Sequence, residues 1–165
     1  MRCRPRTDLN LPSGALTVAA TAFTLAPMKQ FAATASIHAA PERIWAILTD
    51  AARYPEWNST VDKVDGRIAP GERIALHVKL NPGRAFPVTV AAFDPPRRMV
   101  WRGGMPLGLF VGERVFELVP RADGVEFTMR EQFTGVLAPL IGRTLPDMQP
   151  AFDEFAAALK REAER

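Results

Sequence analysis

The chain has 165 residues, is 47% hydrophobic and 24% charged, and carries a formal net charge of +3. That is enough for one globular domain with its own core, and no second domain is required. Arg2, Arg4, Arg6 and Asp8 account for +2 of the charge, so residues 28–165 carry +1, with Lys and Arg dispersed among acids; this excludes a basic nucleic-acid footprint.

The single cysteine, Cys3, cannot form an internal disulfide, which fits a reducing, cytoplasmic setting. It lies in "MRCRPRTDLNLPSG", a basic, loop-like stretch, and reads as an ordinary exposed thiol. The run that follows, "ALTVAATAFTLA", is apolar but too short to span a bilayer, and no stable membrane insertion is expected. Pro27 comes directly after it, and the nearest small-x-small site, Ala33-Thr34-Ala35, falls inside the first expected strand. Residues 1–27 therefore read as a disordered or misassigned extension, with a signal peptide or a functional tail as alternatives, and Met28 as the start of the domain over 28–165.

Alternation of small and apolar residues predicts a strand over 29–39. Pro41 and Glu42 then suit a first helical turn, and Ile44, Trp45, Ile47 and Leu48 supply its apolar face. Asp50 is the expected N-cap of a second short helix, "AARY", which Pro55 is expected to end. Tyr54 and Trp57 flank that break.

From 60 to 133 the pattern predicts strands at 60–68, 72–80, 85–93, 97–103, 109–119 and 125–133, separated by "APGE", "NPGR", "DPPR", "GGMPLG" and "RADG". Such short connections make an antiparallel meander. After Gly135 the period becomes helical, with Leu137, Leu140, Ile141, Leu145, Met148, Phe152, Phe155 and Leu159 on one stripe; Pro146 and Pro150 predict a kink or break between Gly142 and Gln149. The class is thus α+β: about seven curved antiparallel strands wrapped around a long C-terminal helix, with two short helices after the first strand.

With "APERIWAILTDAARYPEWN" (40–58), "DPPRRMVWRGG" (94–104), "LFVGERVFELVP" (109–120) and "EQFTGVLAPLI" (131–141), the chain resembles the START-like, helix-grip proteins of the bacterial SRPBCC group, the polyketide cyclase/dehydrase-like proteins. The resemblance implies a cavity between sheet and C-terminal helix for a small lipophilic ligand, usually without a cofactor. It does not name a reaction.

Sequence motifs for nucleotide binding, zinc proteolysis, serine hydrolysis or thiol redox chemistry are absent. The two histidines, His38 and His77, make no metal site; His77 is expected exposed on the strand face opposite Leu76 and Val78. Strand register yields the most informative polar pair. A four-residue turn over "RADG" sets Leu118 against Phe127, Phe116 against Met129, and Arg114 against Glu131, all on one face. That pair could orient a ligand carbonyl or hydroxyl, or supply a weak general base with Glu131 while Arg114 stabilises enolate charge. It could equally be an ion pair that only fixes register.

The candidate ligand-binding residues are Tyr54, Trp57, Trp101, Phe110, Arg114, Phe116, Phe127, Met129, Glu131, Phe133, Leu137, Leu140, Ile141 and Met148. Tyr54 and Trp57 are read as amphipathic plugs at the cavity mouth, with a hydrophobic clasp as the alternative. The expected function is binding of a lipophilic or amphipathic molecule by a monomer or homodimer. A polyketide cyclase or dehydratase and a ligand-free interaction module are the alternatives.

Overall fold

The computed structural model describes residues 29–165. The expected extension at 1–27 lies outside the described residues. Seven strands form one antiparallel sheet: β1 (Lys29–Ile37), β2 (Val61–Asp65), β3 (Arg73–Val78), β4 (Ala85–Asp94), β5 (Arg98–Gly104), β6 (Val111–Arg121) and β7 (Gly124–Thr134). Their spatial order is β1-β7-β6-β5-β4-β3-β2, so only the first strand leaves chain order, pairing with the last. Four helices complete the fold: α1 (Pro41–Thr49), α2 (Tyr54–Trp57), α3 (Ala138–Gly142) and α4 (Gln149–Ala163). This is the expected helix-grip α+β architecture.

The first helix forms as its sequence directs. Pro41, whose missing N–H costs nothing in a first turn, starts α1, and Ile44, Trp45 and Leu48 are buried. The next corner departs from expectation. Asp50 makes no side-chain cap; its carbonyl instead accepts from the Arg53 N–H at 3.3 Å in a short 3-10 turn over Ala51–Arg53. Pro55 does not end a helix but sits in the first turn of α2, whose backbone closes from the Asn58 N–H to the Tyr54 carbonyl at 2.9 Å. A proline placed this early removes no helical hydrogen bond, so the same residue that stops one turn can open the next.

The C-terminal stripe breaks where its prolines require. Residues 143–148 are irregular between α3 and α4; Pro146 lies in the link and Pro150 in the first turn of α4. The long helix then lays Phe152, Phe155, Ala156, Leu159 and Ala163 into the concave face of the sheet, all buried. Phe155 is the centre of this contact. Its ring lies 5.3 Å from Trp57, 6.0 Å from Phe116, and 6.3 Å from both Tyr54 and Phe127. Burial of these rings is the main favourable term holding sheet to helix.

Candidate functional site at the concave face

Hairpin register places the polar pair as expected. Across β6 and β7, Arg114 opposes Glu131, Phe116 opposes Met129 and Leu118 opposes Phe127. The ladder continues on both sides of the pair, because Glu131 opposes Phe31 of β1, Arg114 opposes Trp101 of β5, and Trp101 opposes Val90 of β4. Opposed residues share a face, so Val90, Trp101, Arg114, Glu131 and Phe31 make one rung across the concave side.

Two polar residues thus sit among three apolar ones. Arg114 and Glu131 side chains are each 15% exposed. The guanidinium donates from Nε to Glu131 Oε2 at 2.8 Å, with Nη2 on the same oxygen. It also lies 4.9 Å from the centre of the Phe152 ring on α4, a cation–π contact that holds its plane. Both hydrogen bonds go to Oε2, and Oε1 lies beside Gly112, where a Cβ would come within 3.5 Å of it. A Cβ there would also stand 3.1 Å from Phe133, so the bare glycine gives both side chains their room.

By contrast, Arg102–Glu113 and Arg98–Glu117 bridge β5 and β6 from the convex face. They stand in solvent and contribute little.

The aromatic candidates form the lining around this rung. Trp101, Phe116, Phe127 and Met129 are fully buried, and Trp101 packs edge-on against Phe116 at 4.8 Å. Phe110 stacks on Phe133 at 5.4 Å toward the β5–β6 loop. Leu137 and Ile141 are half-buried, and Met148 and Leu145 pack against the core from the irregular link, where the Lys29 ammonium donates to the Leu145 carbonyl at 2.9 Å. Leu140 is the exception among the candidates: it is 67% exposed on the outer side of α3. The one-turn helix α3 is rotated so that Ala138 is its buried residue.

Tyr54 and Trp57 turn inward at their corner. Tyr54 is fully buried, its hydroxyl donating to the Leu48 carbonyl at 2.8 Å, so the polar tip ties α2 to α1 and does not face solvent. Burial pushes the Tyr54 phenol far above its ordinary range, opposed by the nearby charge of Arg114. Three buried donors in this region have no protein acceptor: the indole N–H groups of Trp57 and Trp101, and the Asn58 amide. Asn58 spends its oxygen on the Thr60 N–H at 2.9 Å and the Thr60 hydroxyl at 2.7 Å.

Phe152, against Arg114 and Phe31, and Phe155, against Phe116 and Phe127, neighbour these residues and are absent from the candidate set. Their i, i+3 spacing on the final apolar stripe was the available signal. Gly112 was marked only by being a glycine inside a strand. His77, expected to be plainly exposed, is half-buried and pairs through Nε2 with Asp65 Oδ2 at 2.9 Å. Among the described residues, no cluster of His, Cys, Asp or Glu has the geometry of a metal site. Two hollows open to solvent lie outside the rung, one of about 440 Å³ between β1 and α4 and one of about 340 Å³ beside α3.

The model of the family described as polyketide cyclase / dehydrase and lipid transport matches residues 28–164. The chain belongs to this family. No curated protein matches the sequence. Solved structures share the fold at low identity. A Mesorhizobium loti protein is 20% identical with a TM-score of 0.64, over 81% of this chain and 96% of that one. The Zhui aromatase/cyclase of a Streptomyces species is 17% identical with a TM-score of 0.64, over 83% and 94%. A START superfamily protein of Mycobacterium smegmatis is 21% identical with a TM-score of 0.56, over 82% and 97%. The family and fold suit a ligand-binding or cyclase-like role.

Proposed function

We propose that the protein binds a small lipophilic molecule bearing at least one oxygen acceptor between the concave sheet and α4. The observation that carries this reading is the Arg114–Glu131 pair, set on the inner face of the sheet among aromatic side chains with each member 15% exposed. A pair needed only for register would be cheaper on the convex face, where no desolvation is required. Trp101, next on the rung, adds a buried N–H with no protein acceptor, and leaving such a donor unpaired costs about 1–3 kcal/mol. A ligand carbonyl or hydroxyl would recover that cost while apolar burial supplied most of the affinity.

Rings of the core pack closely in this form, so binding is coupled to an outward shift of the irregular 143–148 link and the start of α4. That segment is held by the packing of Leu145 and Met148 and by two contacts with β1, Lys29 Nζ to the Leu145 carbonyl at 2.9 Å and Gln149 Nε2 to the Ala32 carbonyl at 2.7 Å. Opening there would release those contacts with β1 and uncover Arg114 beside Phe152, leaving the strand ladder itself paired.

A cyclase or dehydratase reading uses the same residues. It is favoured by Glu131 Oε1, the carboxylate oxygen that Arg114 does not engage, which could accept a proton while Arg114 and Trp101 face developing negative charge.

Native mass spectrometry of protein purified from its own host tests the binding reading. The expected result is an added mass that organic extraction removes. Protein without added mass, and without a thermal shift across a panel of fatty acids, sterols and aromatic polyketones, would contradict it.

A further inference from the structure

The loops joining β3 to β4, β5 to β6, and β7 to α3 all emerge at one end of the sheet, because alternate strands of an antiparallel meander run the same way. Of the six large hydrophobic residues exposed among the described residues, five lie there: Leu80, Met105, Leu107, Val136 and Leu140. Val119 is the sixth. The opposite end, with loops at 66–72, 95–97 and 122–123, has none in its loops.

The clustering extends to charge. Residues 103–112 and 132–142 contain no charged side chain, in a chain that is 24% charged. These two stretches are bound to each other, since the Leu137 N–H donates to the Leu109 carbonyl at 2.8 Å. Gly135, at φ 110°, permits the contact: a Cβ there would lie 2.5 Å from that same oxygen. Leu107 is 95% exposed and holds a left-handed backbone at φ 58°, unusual for a residue with a Cβ. The folded protein gains nothing from this side chain. The turn holds that backbone through the Met105 N–H to the Phe110 carbonyl at 2.7 Å and the Leu109 N–H to the Pro106 carbonyl at 3.3 Å, and so fixes a leucine outward at its tip.

We infer that this end of the molecule docks on an anionic lipid surface. The apolar side chains stand apart on loop tips and on α3, outside the lining of the open hollow beside α3, and such a dispersed rim suits shallow insertion between headgroups better than a shaped protein partner. Lys79 and Arg84 are exposed in the β3–β4 loop and Arg143 in the link that follows α3, and none of the three is in an ion pair among the described residues; Asp147, in that same link, is the one acid in these segments. A loop set with that balance complements anionic headgroups, and each cation near such a surface adds to the attraction. Among the described residues no helix is long and apolar enough to cross a membrane, so docking is peripheral. The inference stands apart from the interior site, because it needs no ligand between sheet and helix.

Co-sedimentation of the full chain with vesicles of equal parts phosphatidylcholine and phosphatidylglycerol tests it. The wild type is expected to pellet with these vesicles, less so in high salt or with phosphatidylcholine alone. Leu107→Asp with Leu140→Asp is expected to lower partitioning by about tenfold or more, while leaving the melting temperature unchanged because both residues are exposed. Arg84→Glu with Arg143→Glu should weaken anionic binding alone. Failure of the wild type to pellet would overturn the proposal, as would equal pelleting of the aspartate variant. A concentration-dependent dimer that the same aspartates dissociate, without vesicle binding, would assign the surface to a second copy and also overturn it.

Discussion

Arg114 and Glu131 face each other across the β6–β7 ladder on the inner side of the sheet, and the Arg114 guanidinium rests 4.9 Å from the centre of the Phe152 ring of the gripped helix. One side chain therefore links a strand pair to α4. Removing either partner leaves a largely desolvated charge without its counterpart. Arg114→Met and Glu131→Gln are each expected to cost about 2–4 kcal/mol, and the double variant less than their sum, by urea unfolding. Additive losses would show that the pair is not energetically coupled.

Phe155 packs against four other aromatic rings, drawn from α2, β6 and β7, more than any other ring among the described residues. Phe155→Ala should cost about 3–5 kcal/mol, because a cavity would open at the centre of a packed cluster. Phe155→Leu should cost clearly less. If a lipophile can occupy the space vacated, the alanine variant should gain thermal stability from added aromatic compounds more than the wild type does, as read by differential scanning fluorimetry.

Glu164 ties the end of α4 to the sheet, accepting from the His38 backbone N–H at 2.8 Å and from the Lys160 ammonium at 2.7 Å. Those contacts, the backbone bond first, hold its carboxyl below the ordinary value of 4.5. A depressed carboxyl binds fewer protons when folded than when unfolded. Its contribution is therefore present above the unfolded pKa and lost as pH falls through the lower, folded one. Glu164→Gln should flatten the acid limb of melting temperature against pH while leaving the neutral region nearly unchanged. An unaltered acid limb would show that other carboxylates control it.

Much of this was legible in the chain. Register of β6 and β7 followed from the four residues between Pro120 and Val125, since a short hairpin turn fixes every pair beyond it, down to Arg114 and Glu131. The break before Gln149 followed from Pro146 and Pro150 for the same local reason. Features that depend on how one element is rotated against another were not legible. Leu140 fits the apolar stripe by spacing, yet α3 is a single turn whose orientation is set by the Leu137–Leu109 contact, and the residue faces outward. Pro55 has the same composition signal whether it ends a turn or begins one, and the packing of Tyr54 against Trp57 and Phe155 decides between them. The unpaired indole N–H of Trp101 is a property of its surroundings, which no local pattern records.

Gly135 joins two loops whose backbones nearly touch, and a Cβ there would fall 2.6 Å from the Gly108 carbonyl oxygen as well as against Leu109. Gly135→Ala should destabilise by about 1–3 kcal/mol through the positive φ alone, with the steric overlap adding to it. The loss should appear as early amide exchange in residues 105–112 and 135–142. Protection unchanged in both segments would contradict the account of how these loops are joined.

Location of a bound lipophile tests the central claim most directly. With methyl-labelled protein, a ligand lodged between sheet and helix is expected to shift the Met129, Leu159 and Met148 methyl resonances and to broaden the Trp101 indole N–H, with Arg114→Met weakening the effect at least several-fold. Shifts confined to Leu107, Val136 and Leu140, with Met129 and Trp101 unmoved at saturation, would place the lipophile on the surface and contradict the claim.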